Sequence, residues 1–158
     1  MRDSQSMIDF KRVLLSSLVL AAGLAPCIAS AALGEPEASV QADVAQLKGS
    51  INTTDMAGYR VHEIQTPSGT RVREYVGSDG KVFAVAWKGP TMPNLQQTLG
   101  RYFDDYVAAA KAPHAGHHHL QIRRGDLVVE SGGHMRAFSG RAYLPTAVPG
   151  GLAAGDIR

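Results

Sequence analysis

The chain has 158 residues, with 16 basic and 14 acidic side chains and a formal net charge of +2 at neutral pH. This near-neutral balance argues against a nucleic-acid-binding protein, which needs a concentrated basic face. The length suits one domain with a sizeable hydrophobic core, and the single cysteine, Cys27, excludes an intrachain disulfide.

Residues 1–32 show the order of regions that is typical of a secretory signal peptide. A polar start ends in Lys11 and Arg12, an uncharged apolar run follows at residues 13–25, and small residues occupy 29–32. The apolar run is shorter than the roughly 20 residues that cross a bilayer, so we expect an export signal and no transmembrane helix in the mature chain.

Cleavage of this signal is expected after Ala31 or Ala32, where small residues occupy the last and third-last positions. The mature chain would then be exported across the inner membrane, be periplasmic or secreted, and contain no cysteine. The alternative is a lipoprotein anchored at Cys27, although Pro26 stands where a small residue is expected.

The polar segment at residues 33–57 predicts one short helix. Val40, Val44 and Leu47 fall at the i, i+4, i+7 spacing of a single helical face, and Gly49 follows as a stop. Because this apolar stripe is thin, we expect the segment to dock on a larger body.

Three strands are predicted next, at residues 59–66, 70–77 and 81–89. They end at residues typical of tight turns, which are Thr66-Pro67-Ser68-Gly69, Ser78-Asp79-Gly80 and Gly89-Pro90. The third strand is apolar on both faces, as is typical of a central strand covered on both sides. Strict alternation divides its side chains into two sets, Phe83, Val85 and Trp87 against Val82, Ala84 and Ala86.

At residues 94–112 the apolar residues recur at the spacing of an amphipathic helix. Asn94, with Gln97 three residues later, is typical of a helix start, and Pro113 ends the segment. Three further strands are predicted from HLQIRR, DLVVES and MRAFSGRAYLP, with turns at Arg124-Gly125-Asp126 and Ser131-Gly132-Gly133.

The predicted fold class is α+β, in the order β-β-β-α-β-β-β. The sheet is mostly antiparallel, one long amphipathic helix packs on one face, and a short helix stands in front. The expected organisation is a signal peptide at 1–32, a polar segment at 33–57, a single domain at 58–145 and a C-terminal arm at 146–158. One helix cannot cover both faces, so the second face must curl on itself, take the N-terminal helix or meet a partner.

Several stretches resemble a known family when they are taken together. They are HEIQTPSGTRVREYV at 62–76, VFAVAWKGP at 82–90, LQQTLGRYF at 95–103 and GRAYLP at 140–145. As a set they resemble a family of small exported proteins from Gram-negative bacteria that is catalogued only as a domain of unknown function. The DIR at 156–158 also resembles that family's ending. The resemblance implies export and one domain, and it implies no activity.

A histidine tract at residues 114–119 contains His114, His117, His118 and His119. Imidazoles suit zinc, copper or nickel, and on a strand the first and last of the three consecutive histidines would point the same way. The tract has no acidic residue, however, and the HExxH order is absent. A solvated connection is the preferred interpretation, metal binding is the alternative, and no other cofactor is expected.

No catalytic residue is predicted, because the GxSxG, P-loop and GxGxxG patterns are all absent. Ser131 and His134 lie close in sequence, but that closeness does not create the geometry of a catalytic triad. A periplasmic hydrolase built around His134 is the enzymatic alternative.

The candidate binding surface lies at the end of the third predicted strand. The sole tryptophan, Trp87, and Lys88 precede the loop that leads into the helix, and we expect the surface to include Tyr75, Arg101 and Tyr102. Aromatic rings with a polar group suit interfaces, while packing of Trp87 in the core is the alternative. The preferred function is therefore a non-enzymatic binding module for an envelope protein or a cell-surface polymer.

Overall fold

The computed structural model describes residues 33–111 and 119–158, with the side chain of His119 excepted. The expected signal peptide at 1–32, the lipidation alternative at Cys27 and the imidazoles of the histidine tract lie outside the described residues. Within the described ranges, no helix is long and apolar enough to cross a membrane.

The described residues form one seven-stranded sheet and three short helices. The strands are β1 (Ser50–Met56), β2 (Tyr59–Gln65), β3 (Arg71–Gly77), β4 (Val82–Gly89), β5 (His119–Arg124), β6 (Leu127–His134) and β7 (Ala137–Tyr143). The helices are α1 (Val40–Leu47), α2 (Leu95–Leu99) and α3 (Phe103–Ala110). Short 3₁₀ turns lie at Glu37–Ser39, Gly100–Tyr102, Pro145–Ala147 and Ala154–Asp156.

The strands lie in the order β1-β2-β3-β4-β7-β6-β5, and each neighbouring pair is antiparallel. The α+β class and the antiparallel sheet are therefore confirmed. The predicted element order is wrong, because β1 adds a strand inside the segment at 33–57. The sequence SINTTDM of this strand lacks an apolar alternation, since it lies at the sheet edge and all but Ile51 are exposed. Pairing with β2 across the turn at Ala57-Gly58 forms the strand instead.

The prediction of one long helix at 94–112 is wrong for a local reason. Gly100 has φ 50° and ψ −123°, a conformation far from helical, and it begins the 3₁₀ turn that separates α2 from α3. Glycine reaches positive φ without steric cost, which explains how the chain can break there. The predicted N-cap is confirmed, because the Asn94 side chain accepts hydrogen bonds from the backbone nitrogens of Gln96 and Gln97.

The two faces of β4 differ from the predicted division. Tyr75 pairs with Ala84 and Val76 pairs with Val82, so Phe83 is the extra residue of a β-bulge. The bulge shifts the alternation by one residue at Phe83. As a result, Val82, Val85 and Trp87 pack under the helices, while Phe83, Ala84 and Ala86 pack on the opposite face.

The chain's own C-terminal arm covers the face opposite the helices. Ile157 is 1% exposed there, with Val148, Leu152 and Ala154 packed around the same cluster. The sheet thus neither curls on itself nor uses the N-terminal helix for this face, because α1 packs on the other side with α2 and α3. Both faces of the central strands are covered within one chain.

Candidate functional site

A groove of about 660 Å³ lies on the face that carries the C-terminal arm. The register aligns Lys88, Ser139 and Gly132 in one row, and Arg141, Glu130 and Gln121 in the row next to it. Side chains directly opposite each other in a sheet share a face, so each row presents its groups to the same groove. Ile157 and Arg158 of the arm form its opposite wall.

The floor of the groove carries little side-chain bulk because the sequence places small residues side by side in two neighbouring strands. Gly132 and Gly133 of β6 line it together with Ser139 and Gly140 of β7. The predicted turn at Ser131-Gly132-Gly133 is therefore wrong. These residues continue β6, and the chain turns two residues later at Met135-Arg136, where Arg136 has φ 67°.

Two cationic groups on the groove wall have no ionic partner among the described residues. Lys88 and Arg158 are both exposed, and neither side chain makes an ion pair there. His134 is exposed at the end of β6 and also lines the groove. The wall can therefore attract an anionic group without first breaking an internal salt bridge.

Glu130 is the acidic side chain that lines the groove among the described residues, and Arg141 holds it in place. The Arg141 guanidinium donates two hydrogen bonds to Glu130 Oε2, from Nε at 2.8 Å and from Nη2 at 2.5 Å. Arg141 Nη1 also donates to the carbonyl oxygen of Ala154 at 2.6 Å. This pair fixes the arm against the sheet and partly neutralises the carboxylate.

The end of the arm is anchored beside the groove by Tyr75 and Arg73. The Tyr75 hydroxyl donates to the carbonyl oxygen of Arg158 and accepts from its backbone nitrogen, both at 3.1 Å. Arg73 Nη1 donates to the same carbonyl at 2.5 Å, while its Nε donates to Glu63 at 2.7 Å. The hydrogen bond to Glu63 is the main reason that the pKa of Arg73 is raised.

The structure brings only part of the predicted binding surface together. Trp87 and Lys88 line the groove, and Tyr75 anchors the adjacent arm. The Trp87 side chain is 2% exposed and packs in the core under the helices, as the alternative interpretation has it. Arg101 and Tyr102 lie on that helical side, where the Arg101 guanidinium stacks 5.2 Å from the Tyr102 ring centre.

Sequence reasoning missed Ser139, Glu130, Arg141 and Arg158 as groove residues. Arg141 stands inside the GRAYLP stretch, but its role depends on the pairing of β6 with β7. A signal was present in the small residues Ser131-Gly132-Gly133 and Ser139-Gly140, which recur in two segments predicted as neighbours. Read as strand residues instead of a turn, they would have predicted a patch of little side-chain bulk on the sheet.

The pairing of Ser131 with His134 does not have hydrolase geometry. The two residues lie three apart in one strand, so their side chains point to opposite faces. No group of three or more histidine, cysteine, aspartate or glutamate side chains that could hold a metal exists within the described ranges. The imidazoles of the histidine tract lie outside these ranges.

A second polar cluster is buried under the helices, away from the groove. Asp43 of α1 and Glu74 of β3 are 3% and 2% exposed, and Gln97 of α2 donates from Nε2 to Asp43 Oδ1. Burial, together with the neighbouring Asp43 carboxyl group, raises the pKa of Glu74 to about 9. At neutral pH Glu74 is therefore protonated and can share its proton with Asp43.

These features define a small antiparallel α+β domain with a groove beside its C-terminal arm. Residues 29–157 match the family described as "Protein of unknown function (DUF2844)", and the chain belongs to that family. No curated protein and no solved structure matches the chain. The resemblance of the sequence to an uncharacterised family is therefore confirmed, and its function has to be argued from the groove.

Proposed function

We propose that this chain is an exported, non-enzymatic binding module that holds an anionic cell-surface polymer in the groove. The observation that carries this proposal is the juxtaposition of Lys88 and Arg158 over a floor of glycine and serine residues. Such a floor lets an extended chain approach the sheet closely, and the two cations supply attraction for acidic groups along it.

The groove is rigidly supported, which favours binding of a ligand. Its floor belongs to the paired strands β6 and β7, and its arm wall is fixed by Arg141 and Tyr75. A preformed site loses little conformational freedom when a ligand binds. The same cations could instead bind an acidic segment of an envelope protein.

The test is binding of residues 33–158 to an acidic polysaccharide such as polygalacturonate, measured by titration calorimetry beside neutral dextran. Lys88→Glu reverses one wall charge and should weaken binding to the acidic polymer at least about tenfold, or about 1.4 kcal/mol. Lys81→Glu makes the same change in net charge just before the other end of β4 and should alter affinity less than about twofold.

Equal effects of the two substitutions would contradict a site at the groove, because only the overall charge would then matter. Absence of binding to any acidic polymer, with the fold intact by circular dichroism, would reject this ligand class. If dextran bound as tightly as polygalacturonate, the acidic groups of the polymer would not contribute to the affinity, and the proposed role of the cations would be contradicted.

Export of the chain is part of the proposal, and the order of regions in residues 1–32 supports it. Expression with the native leader in a Gram-negative host should give a shortened chain outside the cytoplasm. Replacing Lys11 and Arg12 by glutamate should leave the full-length chain inside the cell. A full-length chain in the membrane fraction that carries lipid at Cys27 would favour the lipoprotein alternative.

A further inference from the structure

The sheet has two edge strands, and they are protected to different degrees. At one edge, β5 packs beside α3 and carries the consecutive cations Arg123 and Arg124. Arg124 Nε lies 2.8 Å from Asp105 Oδ1 of α3. Charged side chains and a covering helix are the usual means by which proteins prevent an edge from pairing with another strand.

The other edge, β1, is less protected among the described residues. Its sequence SINTTDM contains no lysine, arginine or proline, and six of its seven residues are exposed. Its one charge, Asp55, accepts a hydrogen bond from Arg60 Nε at 2.6 Å within the same hairpin. Among the described residues, no strand pairs with the outer side of β1, so the backbone groups on that side can pair with another strand.

We infer that β1 pairs with β1 of a second copy of this chain, in an antiparallel register centred on Thr53. Such a pair would join two seven-stranded sheets into one continuous sheet about a two-fold axis. This interface is separate from the groove, which lies at the far side of β4, and so the inference goes beyond the proposed function.

The sequence of β1 is complementary to itself in this register. Thr53 faces Thr53 of the copy, Asn52 faces Thr54, Ile51 faces Asp55 and Ser50 faces Met56. No like charges oppose each other, and a hydrogen-bonded pair of threonines across strands stabilises sheet pairing. Met56, which is 49% exposed in the single chain, would gain a neighbour.

The register can be tested with two matched double substitutions at Asn52 and Thr54, which are both exposed and both on the arm side of the sheet. N52K/T54K would set lysine against lysine at both positions of the dimer. N52K/T54E would set lysine against glutamate at the same positions. The two variants differ only in the sign of one charge, so their effects on the isolated hairpin should be similar.

Analytical ultracentrifugation of residues 33–158 should show a dimer for the wild-type chain. N52K/T54K should weaken dimerisation at least about tenfold, while N52K/T54E should keep or strengthen it, since like charges opposed across strands destabilise and opposite charges stabilise. Circular dichroism checks that both variants are folded. A wild-type chain that stays monomeric at high concentration would overturn the inference, as would two variants that dimerise equally well.

Discussion

The buried Glu74 makes the stability of this protein depend on pH in a calculable way. Its pKa is raised from 4.5 to about 9 by burial and by Asp43. The folded state therefore keeps a proton that the unfolded state loses above about pH 4.5. The stabilising contribution of the protonated form is fully present below that pH, and it is lost progressively as the pH rises toward 9.

The magnitude follows from the size of the shift. Across the interval between the two pKa values, the free energy of unfolding falls by about 1.4 kcal/mol per pH unit. Between about pH 5.5 and about pH 7.5 the loss is about 3 kcal/mol, a large part of the roughly 5–15 kcal/mol that stabilises a typical domain. Glu74→Gln removes this dependence, because the amide is neutral and can donate a hydrogen bond to Asp43.

Urea unfolding of residues 33–158 at several pH values measures the effect. Glu74→Gln should match the wild type to within about 1 kcal/mol near pH 5 and exceed it by about 2–4 kcal/mol near pH 7.5. Glu63→Gln serves as the matched control, because it removes a carboxylate on the opposite face, where Arg71 and Arg73 are its partners. It should leave the pH slope in place.

The reasoning is refuted if Glu74→Gln shows the wild-type slope. It is also refuted if the variant is less stable than the wild type near pH 7.5, since Glu74 would then be stabilising as a carboxylate.

Two further predictions concern the packing on either face of the sheet. Gly140→Ala places a methyl group against the Trp87 indole ring, and this overpacking should cost about 1–3 kcal/mol and shift the tryptophan fluorescence. An unchanged melting temperature would contradict that close approach. Ile157→Ala should cost about 2–5 kcal/mol in urea unfolding, because Ile157 is the side chain of the arm that is buried against the sheet. A loss below about 0.5 kcal/mol would show that the arm contributes little to the fold.

Local signals in the sequence predicted much of the fold. The spacing of Val40, Val44 and Leu47 predicted α1, and alternation with turn residues predicted β2, β3 and β4. Their bounds agree with the structure to within two residues. The start of α2 could also be predicted, because the hydrogen bonds of its N-cap, Asn94, involve only residues that are close in the chain.

Other elements depend on partners that are distant in sequence. β1 exists because β2 pairs with it, and the face of Phe83 depends on a bulge opposite Tyr75 and Val76. Neither feature produces a regular spacing of apolar residues from which it could be predicted. Gly100 could end a helix or stand inside one, and only the packing of α2 and α3 on the sheet decided between them.

The groove also depends on residues that are distant in sequence. Its side chains come from β4, β5, β6, β7 and the arm, so no single segment contains a pattern that predicts it. The sequence by itself determined the α+β class, most of the strands and the starts of α1 and α2, because these depend on residues a few positions apart. Only the tertiary structure decided on which face of the sheet Trp87 and Lys88 each lie. It also decided what covers the face opposite the helices and which edge strand is less protected. Those outcomes are set by register and by long-range packing.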